Sequence, residues 1–220
     1  GESGMSLFLG GKGALPRIEK LSQRRTHLFS ILDVGSSKVT CLIARLRPRP
    51  ESEVLPNRTH VAEVIGIGHQ RSRGIKSGVV VDIAAAEQSI RACVDTAERQ
   101  AGLTIESLIV SVTAGRLKSL RGKADLTVAG AEVSPADLRR VLNQAARTQM
   151  SQGRVALHSV PFDLSLDGEG GLDDPIGMMG EMLGAELHVL TAEETPLRNL
   201  EAAINRAHLV VEAFVAAPYA

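Results

Sequence analysis

FSILDVGSSKVTCLIARL, residues 29–46, carries an acid to the end of one apolar run, makes a four-residue polar turn and returns as a second apolar run. Phe29 to Val34 is short and apolar. Val39 to Leu46 is rich in β-branched and aliphatic residues, which favours strands over a helix. Gly35-Ser36-Ser37-Lys38 reads as the turn of a hairpin, because glycine takes positive φ freely and serine hydroxyls satisfy turn amides. The turn also suits a phosphate: successive backbone N–H groups of Gly35, Ser36 and Ser37 can form a concavity for an anion, and Lys38 adds a positive charge. Asp33 at its mouth is placed to hold Mg2+ through the ion's water shell, since Mg2+ takes few carboxylates and keeps its waters. A short Gly/Ser turn flanked by an exposed acid and a lysine is equally what an ordinary hairpin looks like, so the turn alone leaves both readings open.

The 220 residues suffice for one large domain or two small ones with real cores. Lys and Arg number 25 against 25 Asp and Glu, and aromatics make up 2%. Nucleic-acid binding calls for a basic excess or stacking aromatics, so no nucleic-acid partner is expected. Cys41 and Cys93 stand far apart, one in an expected strand and one in an expected helix. They read as reduced, buried thiols of a cytosolic protein, with neither a disulfide framework nor zinc spacing. No apolar run reaches the length of a membrane span.

From the N-terminus, GESG before Met5 reads as a cloning remnant, and residues 1–27 as a flexible basic leader with Lys12, Arg17, Lys20, Arg24 and Arg25. Residues 47–60 are Pro-rich and charged, hence an exposed loop. A third strand is expected over 61–69, then a basic turn over 71–78 whose Arg71, Arg73 and Lys76 either meet phosphates or stay solvated, then a short strand over 79–81. Residues 83–101 change to helical period, with Asp82 as N-cap and Gly102 as stop. Strands follow at 108–112 and 125–129. Ser134 and Pro135 open a helix running to about Met150. Residues 155–166 alternate as a long strand interrupted at Pro161, which requires an edge or a bulge. Six glycines and the acids Asp167, Glu169, Asp173 and Asp174 make 167–184 a solvated connector, since the spacing fails that of a calcium loop. Met178, Met179 and Met182 are expected to fill an apolar gap there. A strand at 187–190, a helix from Thr195-Pro196 and a strand at 209–215 complete the chain. No Ser/His/Asp or Cys/His set is compelling, and no residue is expected to be catalytic.

Taken in order, these segments resemble FtsA, the actin-like bacterial cell-division family, over nearly everything from residue 28 onward. The resemblance rests on ILDVGSSKV at 31–39, IGIG at 65–68, SRGIKSGVVVDI at 72–83, LHSVPFDLSLDG at 157–168, GLDDPIGMMG at 171–180 and AELHVLTA at 185–192. It implies an α/β (α+β) chain with an actin-like ATPase fold, a half-domain carrying an inserted strand-helix-strand-strand subdomain. Subdomain 1A would take residues 28–81 and 184–220, and the inserted 1C residues 82–183. The resemblance further implies binding of ATP with Mg2+, self-polymerisation, and tethering of FtsZ filaments to the inner face of the cytoplasmic membrane at the division site. Asp33 would sit near the Mg2+ water shell, and Gly35, Ser36, Ser37 and Lys38 near the β and γ phosphates. Val34 and Ser36 stand where the family commonly has Ile and Thr, both mild changes. Residues 82–183 would contact other FtsA protomers and later division proteins. FtsZ binding and the membrane anchor would belong to the family's second half and its C-terminal amphipathic helix, for which this sequence has no counterpart. The expectation is therefore an N-terminal piece that binds MgATP weakly or not at all, from a parent with at most slow ATPase activity. A sugar- or acetate-kinase-like enzyme of the same superfamily and a pilus-assembly ATP-binding relative are the alternatives. SRGIKSGVVVDI and GLDDPIGMMG favour division over both.

Overall fold

A computed structural model describes residues 22, 24–50, 59–112, 116–148 and 150–216. Most of the expected leader, and residues 51–58 of the expected Pro-rich loop, lie outside the described residues. The chain forms two compact units: residues 116–193 make one, and the remaining described residues make the other.

The second of these units is built on the hairpin. β1 (His27–Val34) and β2 (Lys38–Pro48) pair from Val34↔Val39 to His27↔Leu46. β3 (His60–Arg71) pairs antiparallel with β2, while β6 (Ser107–Val112) lies parallel to β1 and β10 (Val210–Ala216) parallel to β6. The sheet order is β10-β6-β1-β2-β3. Along β1 the even residues Ser30, Leu32 and Val34 are buried, and the odd residues Phe29, Ile31 and Asp33 are half-buried. α1 (Ile83–Ala101) covers the even face. The expected caps form: the Asp82 carboxylate accepts from Ala84 and Ala85 N–H, and Gly102 takes the left-handed conformation at φ 69°. Glycines let the helix lie directly on β3: a Cβ at Gly68 would stand 1.9 Å from the Cys93 carbonyl oxygen, and one at Gly66 2.3 Å from that of Ala97. α3 (Glu194–Arg206) packs beside α1, and Arg206 reaches Glu87 at 2.9 Å. Between β3 and α1, the short strands β4 (Ile75–Lys76) and β5 (Val79–Val80) form a two-residue hairpin over Ser77 and Gly78, both at positive φ, where a plain turn was expected before one short strand.

Residues 116–193 close their own core. β7 (Lys118–Thr127), β9 (Met182–Glu193) and β8 (Arg154–Leu166) form an antiparallel sheet in the order β7-β9-β8. α2 (Pro135–Arg147) starts with a capping box, in which Ser134 and Asp137 satisfy each other's backbone N–H groups. Val141, Leu142 and Ala145 of α2 pack with Leu183, Leu187 and Val189 of β9. Pro161 sits in the edge strand β8 at a bulge between Pro161 and Asp163, which disposes of its missing donor. β7 and β9 are longer than the expected strands at 125–129 and 187–190. The acids of the Gly-rich connector serve its turns: Asp167 accepts from Glu181 and Met182 N–H, and Asp174 from Ile176 N–H. Met178, Met179 and Met182 are exposed instead of filling a gap.

The division between units falls at 116 and 193, not at the expected 82 and 183. α1 belongs with the hairpin because it packs on β2 and β3, and β6 because it pairs with β1. β9 runs unbroken through the expected return point at 184.

Candidate functional site

Residues paired across a sheet point to one face, and successive residues of a strand alternate. Pairing therefore places Ser111, Asp33, Thr40 and His69 in one row across β6, β1, β2 and β3, on the face opposite α1. A second row on that face, at the turn itself, holds Gly35, Lys38 and Arg71. The parallel strands β1, β6 and β10 all end at this edge, and ligands of open α/β sheets bind outside the carboxyl ends of strands.

The turn has less freedom than its sequence suggests. Gly35 N–H donates to the Lys38 carbonyl at 3.0 Å and closes it, so Gly35 has no amide left for an anion. A Cβ at Gly35 would stand 3.0 Å from that same carbonyl oxygen, which is why glycine belongs there. The N–H groups of Ser36 and Ser37 find no acceptor among the described residues and are the two donors left for a ligand. Ser72 N–H donates to the Ser37 carbonyl at 3.0 Å and ties the turn to the end of β3. Ser36, Ser37 and Lys38 are all exposed.

Asp33 is half-buried, and its Oδ1 is buried with no hydrogen-bond partner. A carboxylate oxygen withdrawn from water and left unpaired is costly, unless a cation or the water around one completes it. Thr40 Oγ1 and His69 Nδ1 lie 3.2 Å apart and satisfy each other, and Ser111 is 5% exposed. The donor set fits hydrated Mg2+ with a phosphate chain: one carboxylate with free capacity, two unpaired amides and a lysine.

On the other face, under the helix, Cys41 and Cys93 are buried and free. Cys93 Sγ donates to the carbonyls of Val39 and Gly68 at 3.4 and 3.3 Å. Burial pushes the Cys41 thiol up to about 12 and the Cys93 thiol up to about 11. Such thiols are packing groups, since reactivity needs the thiolate.

Residues 114–191 match the family model for the SHS2 domain inserted in FTSA, a span that coincides with the 116–193 unit. Over 216 residues the chain is 56% identical to the cell division protein FtsA of Agrobacterium fabrum (strain C58), covering 98% of this chain and 49% of that one. The chain belongs to the FtsA family. FtsA of Pseudomonas aeruginosa is 34% identical over 181 residues, covering 82% of this chain and 41% of its own length. The chain thus spans about half the length of the curated FtsA relatives it matches. Among solved structures, the PilM-PilN type IV pilus biogenesis complex superposes with a TM-score of 0.53 at 15% identity, covering 87% of this chain and 48% of that chain. The fold is accordingly the α/β half of an actin-like ATPase fold. The FtsA identities remove the ground for the kinase and pilus alternatives.

Asp33 is legible from the turn it precedes, and Arg71 as a basic residue of the 71–78 segment. Thr40, Ser111 and His69 are not, nor is the pairing that singles out Arg71 from Arg73 and Lys76, because these depend on the registers of β2, β6 and β3, which no local sequence signal fixes.

Proposed function

We propose that the chain carries the first phosphate loop of an actin-like, ATP-binding cell-division protein. The observation that carries the reading is the buried, unpartnered Oδ1 of Asp33 beside the unpaired amides of Ser36 and Ser37. Asp33 would hold Mg2+ through its water shell, and the two amides with Lys38 would take the β and γ phosphates of ATP. The metal supplies charge neutralisation between those phosphates. The chain's own residues position the phosphates and fix the carboxylate; none is assigned as a base, and binding, with at most slow hydrolysis, is the role proposed for the site. In the whole protein this binding would support self-polymerisation and the tethering of FtsZ to the inner face of the cytoplasmic membrane at the division site. Residues 116–193 would serve as the module that meets neighbouring protomers and later division proteins. Among the described residues no helix is long and apolar enough to cross a membrane.

The test is a calorimetric titration of the full-length protein with ATP, with and without Mg2+. Asp33→Ala is expected to weaken the Mg2+-dependent binding by about tenfold or more, the usual scale for groups that hold a metal's ligands. Unchanged affinity would remove Asp33 from the site.

A further inference from the structure

We propose that Arg71 is a second cation of the phosphate site, gripping the terminal phosphate of the bound nucleoside triphosphate together with Lys38. The proposal rests on the nucleotide reading above and adds a residue that the hairpin itself does not contain. Lys38 and Arg71 are direct cross-strand partners, both exposed. Like charges placed directly opposite each other are destabilising, and an anion bound between them offsets that repulsion. No acid among the described residues forms an ion pair with either of them: Glu63, the acid of β3, is taken by Arg45 and Arg47 at 3.8 and 2.6 Å. Among the described residues these are two cations without an ion-pair partner at one register.

Their position points to the occupant. Alternation puts Lys38 and Arg71 on the same face as Asp33, one step nearer the turn whose Ser36 and Ser37 amides are unpaired. The Ser72 N–H to Ser37 carbonyl bond fixes the residue after Arg71 against the turn, so this placement does not depend on a loose loop. The other two cations of the 71–78 segment are placed differently. Arg73 is anchored through its backbone N–H to Ser89 of α1, on the covered side, and Lys76 belongs to the β4–β5 hairpin. A guanidinium presents a planar fork to two oxygens of one phosphate, whereas the Lys38 ammonium acts as a point charge. The pair therefore suits a terminal phosphate with two or more free oxygens, and distinguishes a triphosphate from adenosine.

The experiment uses the full-length protein and its Arg71→Ala, Arg71→Lys and Lys38→Ala variants, with Arg139→Ala on the exposed side of α2 as a control. Melting temperature is read without nucleotide, and affinity for MgATP and for adenosine is read by titration. Without nucleotide, Arg71→Ala is expected to melt at or above the wild-type temperature, because it removes a like-charge pair; a merely structural arginine would lower it. With MgATP, Arg71→Ala is expected to weaken binding about five- to tenfold, as loss of a charge-assisted contact at an exposed site does, with Arg71→Lys in between and adenosine binding unchanged. Wild-type affinity in Arg71→Ala alongside weakened binding in Lys38→Ala would overturn the role of Arg71 and leave the site standing. Wild-type affinity in both variants, or no MgATP binding by the wild type, would overturn the site and this proposal with it.

Discussion

Cys93 shows how far the site depends on what lies beneath it. Its thiol donates to the carbonyls of Val39 and Gly68, so it has to keep its proton for the helix to sit on β2 and β3. Burial holds it up to about 11 and holds Cys41, on β2 beneath the helix, up to about 12, against an ordinary value of 9.0. Below pH 9 the thiols are protonated in both the folded and the unfolded chain, and their contribution to stability is complete. As pH rises past 9 the unfolded chain releases protons that the folded chain retains, so stability falls until the folded thiols ionise at about 11 and 12. Urea denaturation at pH 8 and pH 10.5 is expected to show a lower midpoint at the higher pH, with the drop reduced in Cys41→Ala/Cys93→Ala. An equal drop in that double variant would assign the effect to other groups.

At the scale of elements, α2 is the test of local coding. Its Ser134 side chain accepts from Asp137 N–H while the Asp137 carboxylate accepts from Ser134 N–H. Ser134→Ala is expected to cost about 1 kcal/mol, read as a lower denaturation midpoint for the unit of residues 116–193. Such elements are the ones sequence reasoning recovers. α1 announced both of its ends through Asp82 and Gly102, and the edge position of β8 followed from Pro161, because each of these signals acts through the backbone of its own neighbourhood. β7 is legible only in part, since KSLRGKA alternates the polar Ser119, Arg121 and Lys123 with just Leu120, Gly122 and Ala124. Gly122 is buried there because a helix lies on it: a Cβ would stand 2.0 Å from the Ala145 carbonyl oxygen. α1 was assigned to the wrong unit for a related reason. Amphipathic spacing shows that a helix has a face to bury, and leaves open which sheet receives it.

For the molecule as a whole, two units each close a core of their own, and the sheet order β10-β6-β1-β2-β3 brings the carboxyl ends of three parallel strands to the hairpin turn. The hairpin and its acid were legible because 18 consecutive residues encode them. Ser111 was not, because it arrives from β6, and Arg71 was legible only as one of three cations, because its place beside Lys38 is set by the register of β3. The central claim is that a Mg2+–nucleotide lies against Ser36 and Ser37 with Asp33 beside the metal. Paramagnetic broadening tests it most directly: Mn2+–ATP is titrated into full-length protein carrying 15N-serine, and amide signals are followed residue by residue. The amides of Ser36 and Ser37 are expected to broaden at the lowest Mn2+–ATP concentrations, and to stay sharp at those concentrations in Asp33→Ala. Sharp Ser36 and Ser37 signals in a wild-type protein that binds Mn2+–ATP would place the nucleotide elsewhere and contradict the account.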